Sequence, residues 1–193
     1  MNRRIVQLSS QSPVLRHRAS TVKDLSSVAT VIEDLYDTWP TVEALGIAAP
    51  QIGASRRLFV FRLHDQEDMR PEVLINPKVV RARGHVDEYE GCLSVARLYG
   101  HCVRAEEIEI TALDREGNRV RRAYQGYNAR IIQHEMDHLD GVLYVDRVTD
   151  WDQFHLWVPA DDGAGMEMRA PEPEVLERLH ALVRPLPGYA LQW

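Results

Sequence analysis

Two histidines four residues apart, with a glutamate beside the first, are the residues of this 193-residue chain whose types and spacing most clearly suggest chemistry. They form the sequence His134-Glu135-Met136-Asp137-His138. On a helix, residues four apart lie on one face, so both imidazoles can reach a single metal ion. Glu135 projects beside the pair and can hold a water molecule instead of the metal. The pattern predicts a metal site, and the alternative is an amphipathic helix whose histidines are solvated or hydrogen-bonded.

Two imidazoles leave a catalytic metal ion short of a third protein ligand. Only His155 and His180 follow the motif, and neither stands in a recognisable ligand context. Upstream, residues 90–94 (Glu-Gly-Cys-Leu-Ser) offer a thiol, and a thiol that binds a metal is deprotonated. A single cysteine is more often a buried structural residue, which is our interpretation of Cys102. Taken alone, Cys92 also fits a buried structural thiol better than a ligand, so both interpretations of this candidate third ligand are open at the level of the residues.

Three ordered motifs make the chain similar to the peptide deformylases, the metallohydrolases that remove the formyl group from the N-terminal methionine of new polypeptides. Residues 44–51 match the first motif, Gly-φ-Gly-φ-Ala-Ala-Pro-Gln, except that Ala44 replaces its first glycine. Residues 90–94 match the second motif and residues 133–139 match the third, both in full. Ala96 stands where many members have a proline. The resemblance covers about residues 5–148.

This resemblance implies that Cys92, His134 and His138 bind one divalent metal ion, which is Fe²⁺ in the family, with Zn²⁺ or Ni²⁺ able to occupy the same site. The three residues alone do not select the metal, because one thiolate and two imidazoles suit several transition metals. Three protein ligands leave a fourth position for water, whose pKa the ion can lower to about 7. The implied activity is hydrolysis of N-formylmethionyl peptides with release of formate.

The resemblance also implies catalytic and substrate-binding roles for four residues. Glu135 would accept the proton of the attacking water and deliver it to the departing amine. The Gln51 side-chain amide and the Leu93 backbone N–H would stabilise the negative charge that develops on the formyl oxygen. Gly46 would let the peptide backbone lie alongside the protein in an extended conformation.

The methionine side chain of such a substrate needs an apolar slot. Tyr127, Ile131 and His134 fall at i, i+4 and i+7, so the first two share the metal-bearing face of the helix. Together with Leu45 they form the predicted slot, although they could equally well be packing residues of the core.

Three charged residues accompany the motifs without a role that the sequence can assign. Glu90, Arg104 and Asp137 could support the metal ligands or could be purely structural.

The elements that must position these residues predict an α+β fold, with short antiparallel or mixed strands around the central helix at 128–139. Apolar spacing predicts an N-terminal helix over 24–37 and a C-terminal helix over 172–184. A Glu-Gly-Asn turn predicts a hairpin of two strands. We expect one domain over 1–193, in which 149–193 is an extension of unrecognised type. The predicted strands are 58–63, 73–80, 108–112, 120–124 and 142–145, with a loop or edge strand over 45–53.

Charge and composition limit the partners. A net charge of −6 and a pI near 5.7 argue against direct nucleic-acid binding. No apolar run approaches the roughly 20 residues that cross a bilayer, so no membrane association is expected. The two cysteines are too few for a disulfide-stapled secreted domain, which favours the cytoplasm. Residues 149–193 carry more acidic than basic side chains, which argues against ribosome contact through a basic C-terminal helix. Monomer and homodimer remain open.

Two other functions are compatible with the amino-acid sequence. A zinc endopeptidase would need a third ligand other than Cys92. A deformylase-like metal-binding protein without activity would keep the ligands but not the reaction, and the departures at Ala44 and Ala96 leave that possibility.

Overall fold

The computed structural model describes residues 1–66, 69–161, 165–184 and 186, which contain three α-helices and nine β-strands. The strands form two antiparallel sheets, and the predicted α+β class is confirmed. None of the helices in these residues has the length and apolar composition that crossing a membrane requires. The helices are α1 (Ala29–Thr38), α2 (Gly126–Asp140) and α3 (Pro173–His180). The strands are β1 (Gly46–Ala48), β2 (Leu58–Phe61), β3 (Glu72–Arg83), β4 (Val86–Cys92), β5 (Val95–Arg104), β6 (Glu107–Leu113), β7 (Arg119–Gln125), β8 (His155–Pro159) and β9 (Met166–Arg169).

Helix α2 carries the predicted histidines and confirms the helix expected over 128–139. It ends at Gly141, whose φ of +74° is readily adopted only by glycine. Its Ile132, Met136 and Leu139 side chains are buried in the core cluster beneath the five-stranded sheet. Its opposite face therefore remains available for the metal ligands.

The five-stranded sheet has the order β1-β2-β3-β6-β7 and contains four of the predicted strands. The hairpin of β6 and β7 is confirmed, and its turn is closed by a hydrogen bond from the Gly117 N–H to the Asp114 carbonyl. The segment 45–53, expected to be a loop or an edge strand, contains the edge strand β1 followed by a 3-10 turn at Ala49–Ile52. Among the residues that the structure describes, no strand therefore lies next to one edge of β1.

The four-stranded sheet has the order β4-β5-β8-β9, and sequence patterns did not predict its strands. Strand β4 pairs with β5 through Glu90↔Gly100 and Gly91↔Tyr99, which places Cys92 at the end of this hairpin. Strand β8 continues the sheet from the other side of β5. The C-terminal extension thus adds two strands to the sheet that carries the candidate thiolate.

The prediction of a strand over 142–145 is wrong. The structure has a 3-10 turn at Tyr144–Asp146 instead. The Asp146 carboxylate accepts hydrogen bonds from the Leu143 N–H at 2.8 Å and the Arg184 N–H at 2.8 Å, and it pairs with Arg16. These contacts fold the segment into a turn, although its β-branched and aromatic residues favour a strand.

The C-terminal extension packs on the rest of the chain through a third apolar cluster. Phe154 and Leu179 are buried there with Tyr144 and Val145. Helix α3 ends at His180, shorter than the helix predicted over 172–184. Residues 162–164, 185 and 187–193 of the extension lie outside the described residues.

Candidate metal centre

The thiol and the two imidazoles converge at one point between β4 and α2. The candidate ligand atoms of Cys92, His134 and His138 all lie within 4.8 Å of one another. The Cys92 Sγ atom is 3.3 Å from the His138 Nε2 atom. This is the one such group among the described residues, and its donors fit one divalent metal ion.

A buried carboxylate orients the first histidine. The His134 Nδ1 atom lies 2.8 Å from Glu90 Oε2, which directs the opposite ring nitrogen, Nε2, toward Cys92 and His138. Carboxylates in this position fix the tautomer of a metal-binding histidine and increase its basicity. Glu90 therefore supports a ligand directly.

Glu90 is in turn held by arginines that the sequence could not place. Arg104 is fully buried and donates to both Glu90 oxygens at 2.7 Å, while also pairing with Asp137. Arg130 donates to the same Glu90 carboxylate at 2.6 Å. Burial alone would raise the pKa of Glu90, but the charges of Arg104 and His134 hold it well below its usual range. The three charges left unassigned by the sequence thus form one network that holds the ligands in place, with Arg147 on its far side.

The electrostatic surroundings separate the two cysteines. Burial would raise the pKa of Cys92, but His138 and His134 lower it to about 5. Cys102 is fully buried, and burial together with Glu90 raises the pKa of its thiol. The thiolate that a metal requires therefore forms readily at Cys92, whereas Cys102 is a structural thiol as expected.

Glu135 is buried beside the ligands and is held closely by β1. Glu135 is only 4% exposed. Burial raises the pKa of its carboxyl group to about 7, although the charges of His134 and His138 favour a lower pKa. The Glu135 Oε2 atom has no hydrogen-bond partner among the described residues. A Cβ atom on Gly46 would lie 2.3 Å from Glu135 Oε1, so any larger residue at that position would displace the Glu135 carboxylate. Glu135 is thus available to a group that enters the site.

Gln51 contacts the thiol, and Leu93 follows Cys92 directly in the chain. The Gln51 Oε1 atom accepts a hydrogen bond from the Ala48 N–H at 2.9 Å, which fixes the amide. Its Nε2 atom donates to Cys92 Sγ at 3.6 Å and to Ser94 Oγ at 3.3 Å. The structure thus brings a side-chain amide donor to the Cys92 thiol, and its predicted role toward the formyl oxygen stays a prediction.

A cavity of about 470 Å³ opens over this group. All four predicted substrate-binding residues line it: Leu45, Gly46, Tyr127 and Ile131. Tyr127 is 48% exposed, so it is not a core residue. Ile131 is buried in the core cluster and reaches the cavity as well. Exposure therefore removes the core-packing alternative for Tyr127 but not for Ile131, and the slot itself stays a prediction.

The structure argues against the zinc endopeptidase alternative. It required a third ligand other than Cys92, yet His155 lies beside Tyr89 and His180 beside Trp151. The described residues offer the histidine pair no other ligand group than the Cys92 thiol. A thiolate-dependent hydrolytic site remains.

The fold and the site together define a metal-dependent amidohydrolase with one thiolate and two imidazole ligands. Sequence comparison with known proteins supports this class. Residues 3–154 match the family model described as polypeptide deformylase. A peptide deformylase of Dehalococcoides mccartyi strain CBDB1 is 40% identical over 161 residues, which cover 83% of this chain and 94% of that protein. A peptide deformylase of Thermomicrobium roseum is 42% identical over 144 residues, which cover 72% of this chain and 82% of that protein.

Solved structures give the same result. A peptide deformylase from Legionella pneumophila aligns with a TM-score of 0.71 at 37% identity, covering 77% of this chain and 87% of that one. A peptide deformylase from Synechococcus elongatus in complex with actinonin aligns with a TM-score of 0.72 at 33% identity, covering 94% of this chain and 90% of that one. The chain belongs to the polypeptide deformylase family, and its activity is the removal of N-formyl groups from nascent peptides.

Proposed function

We propose that the metal held by Cys92, His134 and His138 is Fe²⁺, with Zn²⁺ or Ni²⁺ as the alternatives. One thiolate and two imidazoles suit all three ions and leave an open position on a four-coordinate ion. When bound, the ion polarises the formyl oxygen and lowers the pKa of a water molecule. Elemental analysis of protein purified without oxygen tests this assignment. One iron per chain is expected, and one zinc or nickel in its place contradicts the iron assignment.

Glu135 is the proton carrier of the proposed mechanism. It takes a proton from the attacking water and gives it to the departing amine, acting first as general base and then as general acid. The buried Oε2 atom without a partner and its position beside the cavity support this role. A Glu135→Gln variant should lose about 10²–10⁴-fold in kcat while keeping its metal. Unchanged activity would remove Glu135 from the mechanism.

Gln51 and Leu93 are proposed to stabilise the negative charge that develops on the formyl oxygen. The anchored Gln51 amide supports the proposal, since donors that are already aimed cost no reorganisation during the reaction. Leu93 follows the Cys92 ligand directly in the chain, which supports a role for its backbone N–H. Removing one such donor typically lowers kcat about 10²–10³-fold, which is the loss expected for Gln51→Ala.

The substrate is proposed to lie along β1. The free edge of β1 can accept an extended peptide as an added strand, through main-chain hydrogen bonds near Gly46. Leu45, Tyr127 and Ile131 would then surround the methionine side chain, and their shared place in one cavity supports this arrangement.

The convergence of Cys92 with the two histidines is the observation that carries these assignments. Formate release from formyl-Met-Ala-Ser, by protein loaded with Fe²⁺ without oxygen, is the direct test. We expect Cys92→Ser to lose both metal and activity. Retention of both in that variant would exclude the thiolate as a ligand.

We further propose that the chain acts in the cytoplasm, since a thiolate ligand persists best in a reducing compartment. Helix α3 carries Glu174 and Glu177 beside Arg178, so it lacks a basic face for ribosomal RNA. We therefore expect no direct nucleic-acid contact through this helix. Light scattering distinguishes the monomer from the homodimer.

A further inference from the structure

One face of the four-stranded sheet concentrates exposed apolar side chains. Among the described residues, four of the eight exposed large hydrophobic side chains lie on β4, β8 and β9, with exposures of 38–43%. The strand register places Trp157 opposite Met168, and Tyr99 opposite both Gly91 and His155. Since paired residues share a face, these side chains form one surface. We call it the aromatic face, and its members are Tyr89, Tyr99, His155, Trp157, Met166 and Met168.

The aromatic face continues directly into the catalytic cavity. Tyr89, Gly91 and Tyr99 line the cavity together with Cys92 and Glu135. A Cβ atom on Gly91 would lie 2.5 Å from the Tyr99 ring, so this ring packs directly against the backbone of β4 at Gly91. The floor of the cavity and the aromatic face are therefore one uninterrupted surface.

The rings nearest the cavity are held in place before any ligand binds. The Tyr89 ring lies 3.9 Å from the His101 ring, and its hydroxyl lies 3.3 Å from the His155 Nδ1 atom. Side chains that are already ordered lose little conformational entropy on binding. The methionines farther out are flexible and polarisable, which suits partners of varied sequence. Exposed apolar side chains that lie together on one surface are typical of an interaction surface.

We propose that the aromatic face binds the substrate polypeptide behind the residues in the cavity, with a preference for apolar side chains at about the fourth to seventh positions. Adjacent strands lie about 4.8 Å apart, so Trp157 and Met168 are roughly 10–15 Å from β4 across the sheet. An extended peptide advances about 3.3 Å per residue and covers this distance in three to five residues. The inference rests on the proposed function, because it requires the formylated end to occupy the cavity.

This assignment gives the C-terminal extension a role. Trp157, Met166 and Met168 all follow residue 154, where the match to the deformylase family model ends. The extension thus lengthens the substrate surface without contributing to the metal centre.

The test compares three substrates: formyl-Met-Ala-Ser, and two formyl octapeptides with the same start that carry either Leu and Phe or Ser and Gly at positions 4–7. For the unmodified chain we expect kcat/KM to be about tenfold higher for the apolar octapeptide, mainly through a lower KM. The double variant Trp157→Ser/Met168→Ser should abolish this difference and leave the formyl-Met-Ala-Ser rate unchanged. The matched control is Val80→Ser, which changes an exposed apolar residue on β3 of the other sheet and should keep the difference between the two octapeptides.

The outcomes separate the inference from the function on which it rests. Absence of formate release from formyl-Met-Ala-Ser contradicts the proposed function itself. Release from that tripeptide with equal kcat/KM for both octapeptides overturns only the role of the aromatic face, as does a preference that survives in the double variant. A dimer detected by light scattering that dissociates in the double variant assigns the face to a second copy of the chain and overturns the peptide proposal. If the double variant does not fold, Met168→Gln alone serves the same comparison, because it alters a single exposed side chain.

Discussion

Replacing Gly46 by alanine should disable the enzyme without touching a metal ligand. The added Cβ atom would lie 2.3 Å from Glu135 Oε1, 2.5 Å from its Cδ and 2.6 Å from its Cγ. Carbon atoms and their neighbours pack comfortably at about 3.5 Å, so the carboxylate must retreat by roughly 1 Å. The backbone of Gly46 cannot yield easily, because β1 is paired with Phe61 on β2.

A displacement of this size has a predictable kinetic effect. A misplacement of about 1 Å can cost 10²-fold in rate, and general acid–base catalysis contributes about 10²–10⁴-fold in total. We therefore expect Gly46→Ala to lower kcat about 10²-fold with metal content unchanged. The assay is formate release from formyl-Met-Ala-Ser, combined with elemental analysis and thermal unfolding of the same preparation.

The matched control is Gly53→Ala in the same segment. Its Cβ atom would meet nothing within 4 Å, but its φ of +84° is unfavourable for alanine. This variant should lose about 1–2 kcal/mol of stability and keep its activity. Adding Gly46→Ala to Glu135→Gln should cost little further in kcat, since both changes act on one carboxylate. A folded, metal-loaded Gly46→Ala protein with kcat within threefold of the parent would refute the reasoning, as would fully multiplicative losses in the double variant.

Three further predictions concern the surroundings of the site. Arg104→Met should destabilise the protein by about 3–5 kcal/mol in urea unfolding, because it removes one arginine partner from each of two buried carboxylates, Glu90 and Asp137. Arg121→Met removes an exposed pair and should cost at most about 1 kcal/mol, so similar losses in both variants would contradict the buried-network interpretation. In metal-free native protein, a thiol reagent should label Cys92 quickly and fully buried Cys102 only on unfolding, whereas rapid labelling of two thiols would count against this burial. Ending the chain after Asp150 removes two buried side chains of the third apolar cluster and should lower the melting temperature by about 10 °C, and an unchanged value would show that the extension does not support the fold.

Local sequence patterns sufficed to predict the helix that carries the two histidines and one β-hairpin. The helix over 128–139 and the β6–β7 hairpin were predictable because helical spacing and a glycine-containing turn are properties of short segments. The β4–β5 hairpin was not predictable, since β4 reads Val-Asp-Glu-Tyr-Glu-Gly-Cys and lacks an alternating apolar face. Its inward Glu90 is a buried anion, which only its arginine partners make tolerable.

The prediction of a strand over 142–145 was wrong for a related reason. The residues of this segment favour a strand. The Asp146 carboxylate instead stabilises a turn, because it accepts hydrogen bonds from the Leu143 and Arg184 N–H groups and forms an ion pair with Arg16. Two of these partners lie far away in the sequence, so no local pattern could reveal them.

The amino-acid sequence by itself determined the metal-binding helix and the position of Glu135 on it and, through the resemblance of three ordered motifs, the family and the third ligand. Only the tertiary structure decided that Glu90, Arg104 and Asp137 form one network around the ligands, and that the extension builds a surface continuous with the cavity. The physical reason is distance along the chain. A helix brings residues four apart together by its own geometry, whereas Cys92 meets His138, and Trp157 joins the surface of Tyr89, only through strand register and packing between distant segments.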